Sequence, residues 1–313
     1  MVGGLLAYLW RHWGDLSAGI NLSAEQLAIL SILVAATWIL NSLPMLIFAR
    51  LMNKSLGFWE NLSVSLAAGL VNYLPMRLGT VIRMRFFKVR HAIDYSTFIG
   101  IAVVRSMLLL TLSGVFGCLA LAGLSMTGMH VPVILVIALA TAATFPLIFV
   151  FMAHKNLHCQ QKNLKSIFKK LSYGYLALHG NSKHFWALVL ITTIQFAVVS
   201  ARLSIAFQAF GIGVSTWALL LLGPTATLLT FISITPGNLG LREWVIGSIS
   251  GIAELGFKDG VFAGTLDRSV AMALNFLVGP ICLYYTLRST RKPNDSELGH
   301  QEGPLIPIRK HDK

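Results

Sequence analysis

A chain of 313 residues that is 55% hydrophobic and 12% charged, with a mean hydropathy of +0.71, is not a soluble domain; those carry about 25% charged residues. Its net charge of +13 is gathered in a few loops without an interleaved aromatic platform, which excludes nucleic acid as a partner and fits the preference of lysine and arginine for the cytoplasmic side of a membrane. Cys118, Cys159 and Cys282 form no C-x-x-C pair, so neither a disulfide framework, a metal site nor a cofactor is expected.

The chain opens on "MVGGLLAYLWRHWG", too short to span, and residues 1–25 read as an interfacial segment. Residues 26–49 form the first apolar run, with Arg50 and Lys54 at its inner end. The stretch 57–89 is apolar but broken at "NYLPMRLGTVIR", Asn72 to Arg83. A simple crossing there would leave Arg83, Arg85, Lys88 and Arg90 outside. A re-entrant hairpin that turns at Pro75 and returns keeps them inside. Its polar content, Glu60, Asn61, Ser63, Ser65 and Asn72, suits protein or water contact better than lipid.

Residues 97–124 then run outward and 131–153 inward, completing a first membrane repeat over 26–153. The connector 154–184 holds Lys155, Lys162, Lys165, Lys169, Lys170 and Lys183 and no acid, which predicts a basic amphipathic helix on the inner leaflet. A second repeat over 185–288 begins with the outward span 185–210. Residues 216–235 enter from outside, turn at Pro236–Gly237 and return, and 261–287 run inward. The basic tail 289–313 reads as disordered and cytoplasmic.

Both breaks read P-x-(R/N)-L-G, and an Arg-Ser pair follows each: Arg105 stands 30 residues after Pro75, Arg268 32 after Pro236. The expected fold is therefore an all-α polytopic membrane protein of two inverted repeats, each with a re-entrant helical hairpin. Proline breaks a helix, and broken backbone at membrane depth is tolerated only where protein or water satisfies it. Each break opens the N-terminus of a half-helix, near Met76 and near Asn238, where free amides and the helix dipole favour an anion. Gly79, Gly237 and Gly240 permit close backbone approach. Arg77, Arg83, Arg242, Arg105 and Arg268 are candidate cations for that anion. Pairing of the arginines with Glu243 or Asp267 is the competing structural role, and Glu60, Glu243 and Asp267 are candidate counter-ions. The candidate substrate-binding set is Asn72, Pro75, Arg77, Gly79, Arg83, Arg105, Pro236, Gly237, Asn238, Gly240, Arg242, Glu243 and Arg268.

"TPGNLGLREWVIG" resembles the P-G-G-L-G-x-R-E element of the transmembrane region of lysylphosphatidylglycerol synthases, and "NYLPMRLGTVIR" resembles that family's P-x-R-x-G-E-x-x-R element. Thr80 stands where the family has glutamate, and Asn238 where it has glycine. The family's first spanning helix is missing or reduced to residues 1–13. The resemblance implies movement of lipid across the bilayer of a bacterial or archaeal cell membrane. Synthase activity is expected to be absent, since the tail beyond Arg288 is too short for that domain. An anionic phospholipid, an aminoacyl-phospholipid or a polyprenyl-phosphate-linked glycan would be the cargo. The alternative is a non-catalytic membrane partner of a lipid-modifying enzyme or glycosyltransferase. A membrane-embedded transferase is the weakest reading, because no nucleophile elbow, metal cluster or P-loop is present in the sequence.

Overall fold

The computed structural model describes residues 2–12, 14, 19–74, 78–156, 182–229 and 236–291, and all regular structure among them is helical. In chain order the helices are α1 (Val2–Arg11), α2 (Ala24–Leu51), α3 (Phe58–Val71), α4 (Leu78–His91), α5 (Tyr95–Met126), α6 (Val133–Asn156), α7 (Ser182–Gln208), α8 (Thr216–Leu229), α9 (Leu241–Ile252) and α10 (Phe257–Arg291). A 3-10 turn, Pro236–Asn238, precedes α9. The predicted amphipathic connector falls largely on residues 157–181, and the tail on 292–313; both lie outside the described residues.

Among the described residues four helices are long and apolar enough to cross a membrane: α2, α5, α7 and residues Phe257–Thr290 of α10. The 28 residues of α2 rise about 42 Å at ~1.5 Å each, beyond a ~30 Å hydrocarbon core. The fifth expected span became α6, whose apolar stretch Val133–Pro146 is shorter than the other four. Start signals in the sequence act as anticipated by helix chemistry. Ser23 Oγ accepts from the Gln26 amide at 3.1 Å while Gln26 Oε1 accepts from the Ser23 amide at 3.0 Å, a closed capping box for α2. Pro44 interrupts that helix's ladder nearby, and Asn61 of α3 donates to the Ser42 carbonyl at 2.7 Å.

The two broken stretches fold as short helix pairs. The first gives α3 and α4, the second α8 and α9, each of 12 to 14 residues and too short to cross alone. Their packing crosses between the halves of the chain. The first arm α3 lies on α10, the first arm α8 lies on α5, and α2 lies on α7. Close approach makes these contacts possible: a Cβ at Gly123 of α5 would enter the Trp217 ring of α8, and one at Gly279 of α10 would meet Leu70 of α3 at 2.9 Å. Of the three apolar clusters among the described residues, two are large. One joins Leu203, Phe207, Leu221, Leu222 and Ile246 from α7, α8 and α9. The other joins Phe48, Phe86, Phe87, Phe98 and Leu188 beneath α4. The N-terminal α1 rests on the second half through Tyr8, whose ring centroid is 5.8 Å from Trp244 and 6.1 Å from Phe257.

Candidate functional site

The two proline motifs meet. Asn72 ends α3, and its carbonyl accepts from the Gly237 amide at 3.0 Å. Gly237 has φ 58°, and a Cβ there would stand 2.7 Å from the Tyr73 ring, so only glycine fits against this neighbour. Tyr73 in turn stacks on Phe276 of α10, centroids 5.4 Å apart. At the start of α4, a Cβ on Gly79 would collide with the Ala68 carbonyl and lie 2.6 Å from Asn72 Oδ1. The last turn of α3 and the first turn of α4 are thus pressed together beside the second motif. Pro75 and Arg77 lie outside the described residues, and Pro236 begins the 3-10 turn.

The second motif is a left-handed corner. Gly237, Asn238 and Gly240 have φ of 58°, 59° and 87°. Among residues with a side chain, asparagine tolerates this region best, which explains how Asn238 serves where the family has glycine. Its amide nitrogen donates to the Leu229 carbonyl, binding the corner to the end of α8. The corner delivers the α9 N-terminus to its own acid: Glu243 Oε2 accepts from the Gly240 amide at 2.8 Å. This revises the expectation of an open anion site at the second half-helix, because Glu243 already supplies the anion.

Around it lies a buried ionic cluster. Arg202 of α7 grips Asp267 of α10, with Nε and Nη2 at 2.9 and 2.8 Å from Oδ1, and Nη1 donates to Thr37 Oγ1 of α2 at 3.2 Å. Arg242 Nη2 donates to the other oxygen, Asp267 Oδ2, at 2.9 Å. Arg268 Nη1 stands 3.4 Å from Glu243 Oε1. Asp267 is wholly buried and Glu243 is 1% exposed. Arg242 and Arg268 therefore face carboxylates of their own chain, and α2, α7, α9 and α10 are joined through three cations and two anions. Glu60, a candidate counter-ion for the arginines, is instead 3.6 Å from Arg90 and 3.4 Å from His91, at the far end of α4.

The first half is built differently. Arg105 of α5 donates to the Asn41 carbonyl at 3.1 Å and to Asn41 Oδ1 at 2.9 Å, and Gln195 of α7 donates to the same Oδ1 at 3.1 Å. Neutral amides hold this guanidinium in place. The Arg83 guanidinium lies 5.8 Å from the Phe98 ring, and its Nε is enclosed without a hydrogen-bond partner. Among the described residues no group of three metal-ligating side chains occurs.

The family model of the lysylphosphatidylglycerol synthase transmembrane region matches residues 2–279. The chain belongs to that family. No curated protein and no solved structure matches it. As a member of the lysylphosphatidylglycerol synthase transmembrane-region family, with four helices able to cross a bilayer, it is an integral membrane protein.

Arg202, Asn41, Thr37 and Gln195 were not among the expected site residues of this family member. One signal could have found two of them: Asn41 stands 34 residues before Pro75, and Arg202 stands 34 before Pro236. At matched places in the two first spans, each makes its polar contact with the long helix that follows its half's proline motif and short helix pair, Asn41 with Arg105 of α5 and Arg202 with Asp267 of α10.

Proposed function

We propose that this protein moves an anionic lipid between the leaflets of its membrane, with no covalent step. The observation that carries the reading is a charge imbalance. Arg83, Arg202, Arg242 and Arg268 stand buried or half-buried on membrane-embedded helices. Opposite these four, the same inner stretches offer two carboxylates among the described residues, Glu243 and Asp267. Arginine keeps its charge in proteins, and a charge inside a bilayer is costly. A surplus of buried cations therefore calls for a visiting anion, and in a bilayer the abundant anions are lipid headgroups. The surplus is plainest in the first half at Arg83, whose guanidinium lies by the Phe98 ring and whose enclosed Nε has no hydrogen-bond partner. The headgroup accordingly binds between the paired motifs on the Arg83 and Arg105 side, near the α4 N-terminus.

Two inverted repeats with re-entrant hairpins supply the frame of this reading. The equal spacing of Asn41 and Arg202 from their prolines supports it, as does the exchange of α3 onto α10 and α8 onto α5. A site between opposed halves can be reached from either leaflet by rocking one against the other.

Purified protein in liposomes tests this. Fluorescent phosphatidylglycerol should cross faster than the phosphatidylcholine analogue, and Arg83→Gln should slow the anionic lipid alone. One lost charge-assisted bond of about 1.5–3 kcal/mol in the rate-limiting state corresponds to roughly ten- to more than a hundredfold. Folded protein that moves neither lipid above empty vesicles, or both equally, would sink the proposal.

A further inference from the structure

Beside Arg83 runs a groove of about 370 Å³ that the site described above does not use. Thr80 and Met84 of α4 form one wall, Ala102, Ser106 and Leu110 of α5 the floor, and Pro146 of α6 the other wall. Its surface is almost wholly apolar. It opens among side chains that face outward: Ile99 is 49% exposed and Phe145 55%. On an integral membrane protein such a mouth faces hydrocarbon.

Length and charge single out the occupant. From Phe98 to Leu110 the groove follows α5 for about 18 Å at ~1.5 Å per residue, close to one leaflet of a ~30 Å core. Arg83 stands on α4 between the groove residues Thr80 and Met84 in sequence, and its guanidinium lies 5.8 Å from the ring of Phe98, which lines the groove. The enclosed Arg83 Nε has no hydrogen-bond partner. Three residues ahead of it on the same helix stands Thr80, a neutral side chain at a spacing where an acid would face the arginine. An apolar channel one leaflet long, with an unneutralised cation at its side, matches one molecule: a lipid with a hydrocarbon chain and a negative headgroup.

We propose that one hydrocarbon chain of an anionic lipid lies in the α4–α5–α6 groove with its headgroup at Arg83. The inference rests on the transport reading above and adds where the lipid enters. The groove lies on the side of Arg85, Lys88 and Arg90, the inner leaflet by the positive-inside rule. Lipid is therefore taken sideways from that leaflet, tail first against α5.

The test is photolabelling of the full chain in nanodiscs, with phosphatidylglycerol or phosphatidylcholine carrying a diazirine in one acyl chain. On the wild-type protein, phosphatidylglycerol should label Met84, Ala102 and Ser106 in preference to the lipid-facing Ile32, Leu119 and Val136, and phosphatidylcholine should not. Thr80→Glu should abolish that preference by giving Arg83 a carboxylate. Labelling spread evenly over all lipid-facing positions would overturn the proposal, as would equal labelling of the groove by both lipids. The wild-type map decides this even if the variant fails to fold. Selective groove labelling without transport would leave the tail seat standing and remove the transport reading. Anion-selective transport with labelling elsewhere would do the reverse.

Discussion

Asp267 is wholly buried and touches two guanidiniums, but they do not hold it equally. Arg202 reaches it through two nitrogens and carries on to Thr37, whereas Arg242 contributes one bond. Breaking a buried ion pair from one side costs about 3–5 kcal/mol, because the remaining charge is left uncompensated. Arg202→Gln should therefore lower the melting temperature more than Arg242→Gln, since in the latter Asp267 keeps its stronger partner. Adding Asp267→Asn to Arg202→Gln should restore part of the loss, by removing the stranded charge. Thermal unfolding of the purified variants checks both statements. Equal melting of the two single variants would contradict the asymmetry of the contacts.

At the scale of the element, the first short helix pair is held at its open end by Glu60, Arg90 and His91. His91, 3.4 Å away, holds the Glu60 carboxyl below the usual carboxylate range, and the nearby Arg90 charge adds to it. A carboxyl lowered in the folded state stabilises above its unfolded value, and the contribution is lost as pH falls through the folded one. The wild type should thus lose melting temperature on acidification below the ordinary carboxylate range, and Glu60→Gln should flatten that part of the profile. Parallel profiles for the two proteins would remove the clasp.

The helix pairs themselves were legible in the sequence, because proline and glycine inside an apolar run have few other uses: α4 begins at Leu78 and α9 at Leu241, against expected starts near Met76 and Asn238. Glu243 and Asp267 were legible as partners of the arginines, and Arg242 and Arg268 do pair with them, but Arg202 and Asn41 were not legible. A lone Asn41 or Arg202 in an apolar run does not reveal which neighbouring helix it faces. Glu243 read as a counter-ion for the arginines, but nothing in "LREW" discloses that the left-handed corner before it also aims the Gly240 amide at its carboxylate.

For the molecule as a whole, the arrangement of charge sets a topology. In a background without Cys118, Cys159 and Cys282, single cysteines at Lys88 and Arg288 should label from the same face of the membrane, and one at Glu254 from the opposite face. Labelling of position 88 from the Glu254 side would remove the first re-entrant hairpin and, with it, the frame of two opposed halves.

The Arg202–Asp267 bond joins residues 65 apart in sequence, and that distance has a temporal meaning. During synthesis α7 reaches the membrane well before α10 leaves the ribosome. A solitary arginine at the centre of an inserting helix costs about 2.5–3.5 kcal/mol on biological insertion scales. Until its acid arrives, Arg202 has, among the described residues, Thr37 of α2 as its side-chain partner. A nascent chain halted before residue 257 should then hold α7 weakly, and release of the finished chain into the bilayer should wait on its last helix.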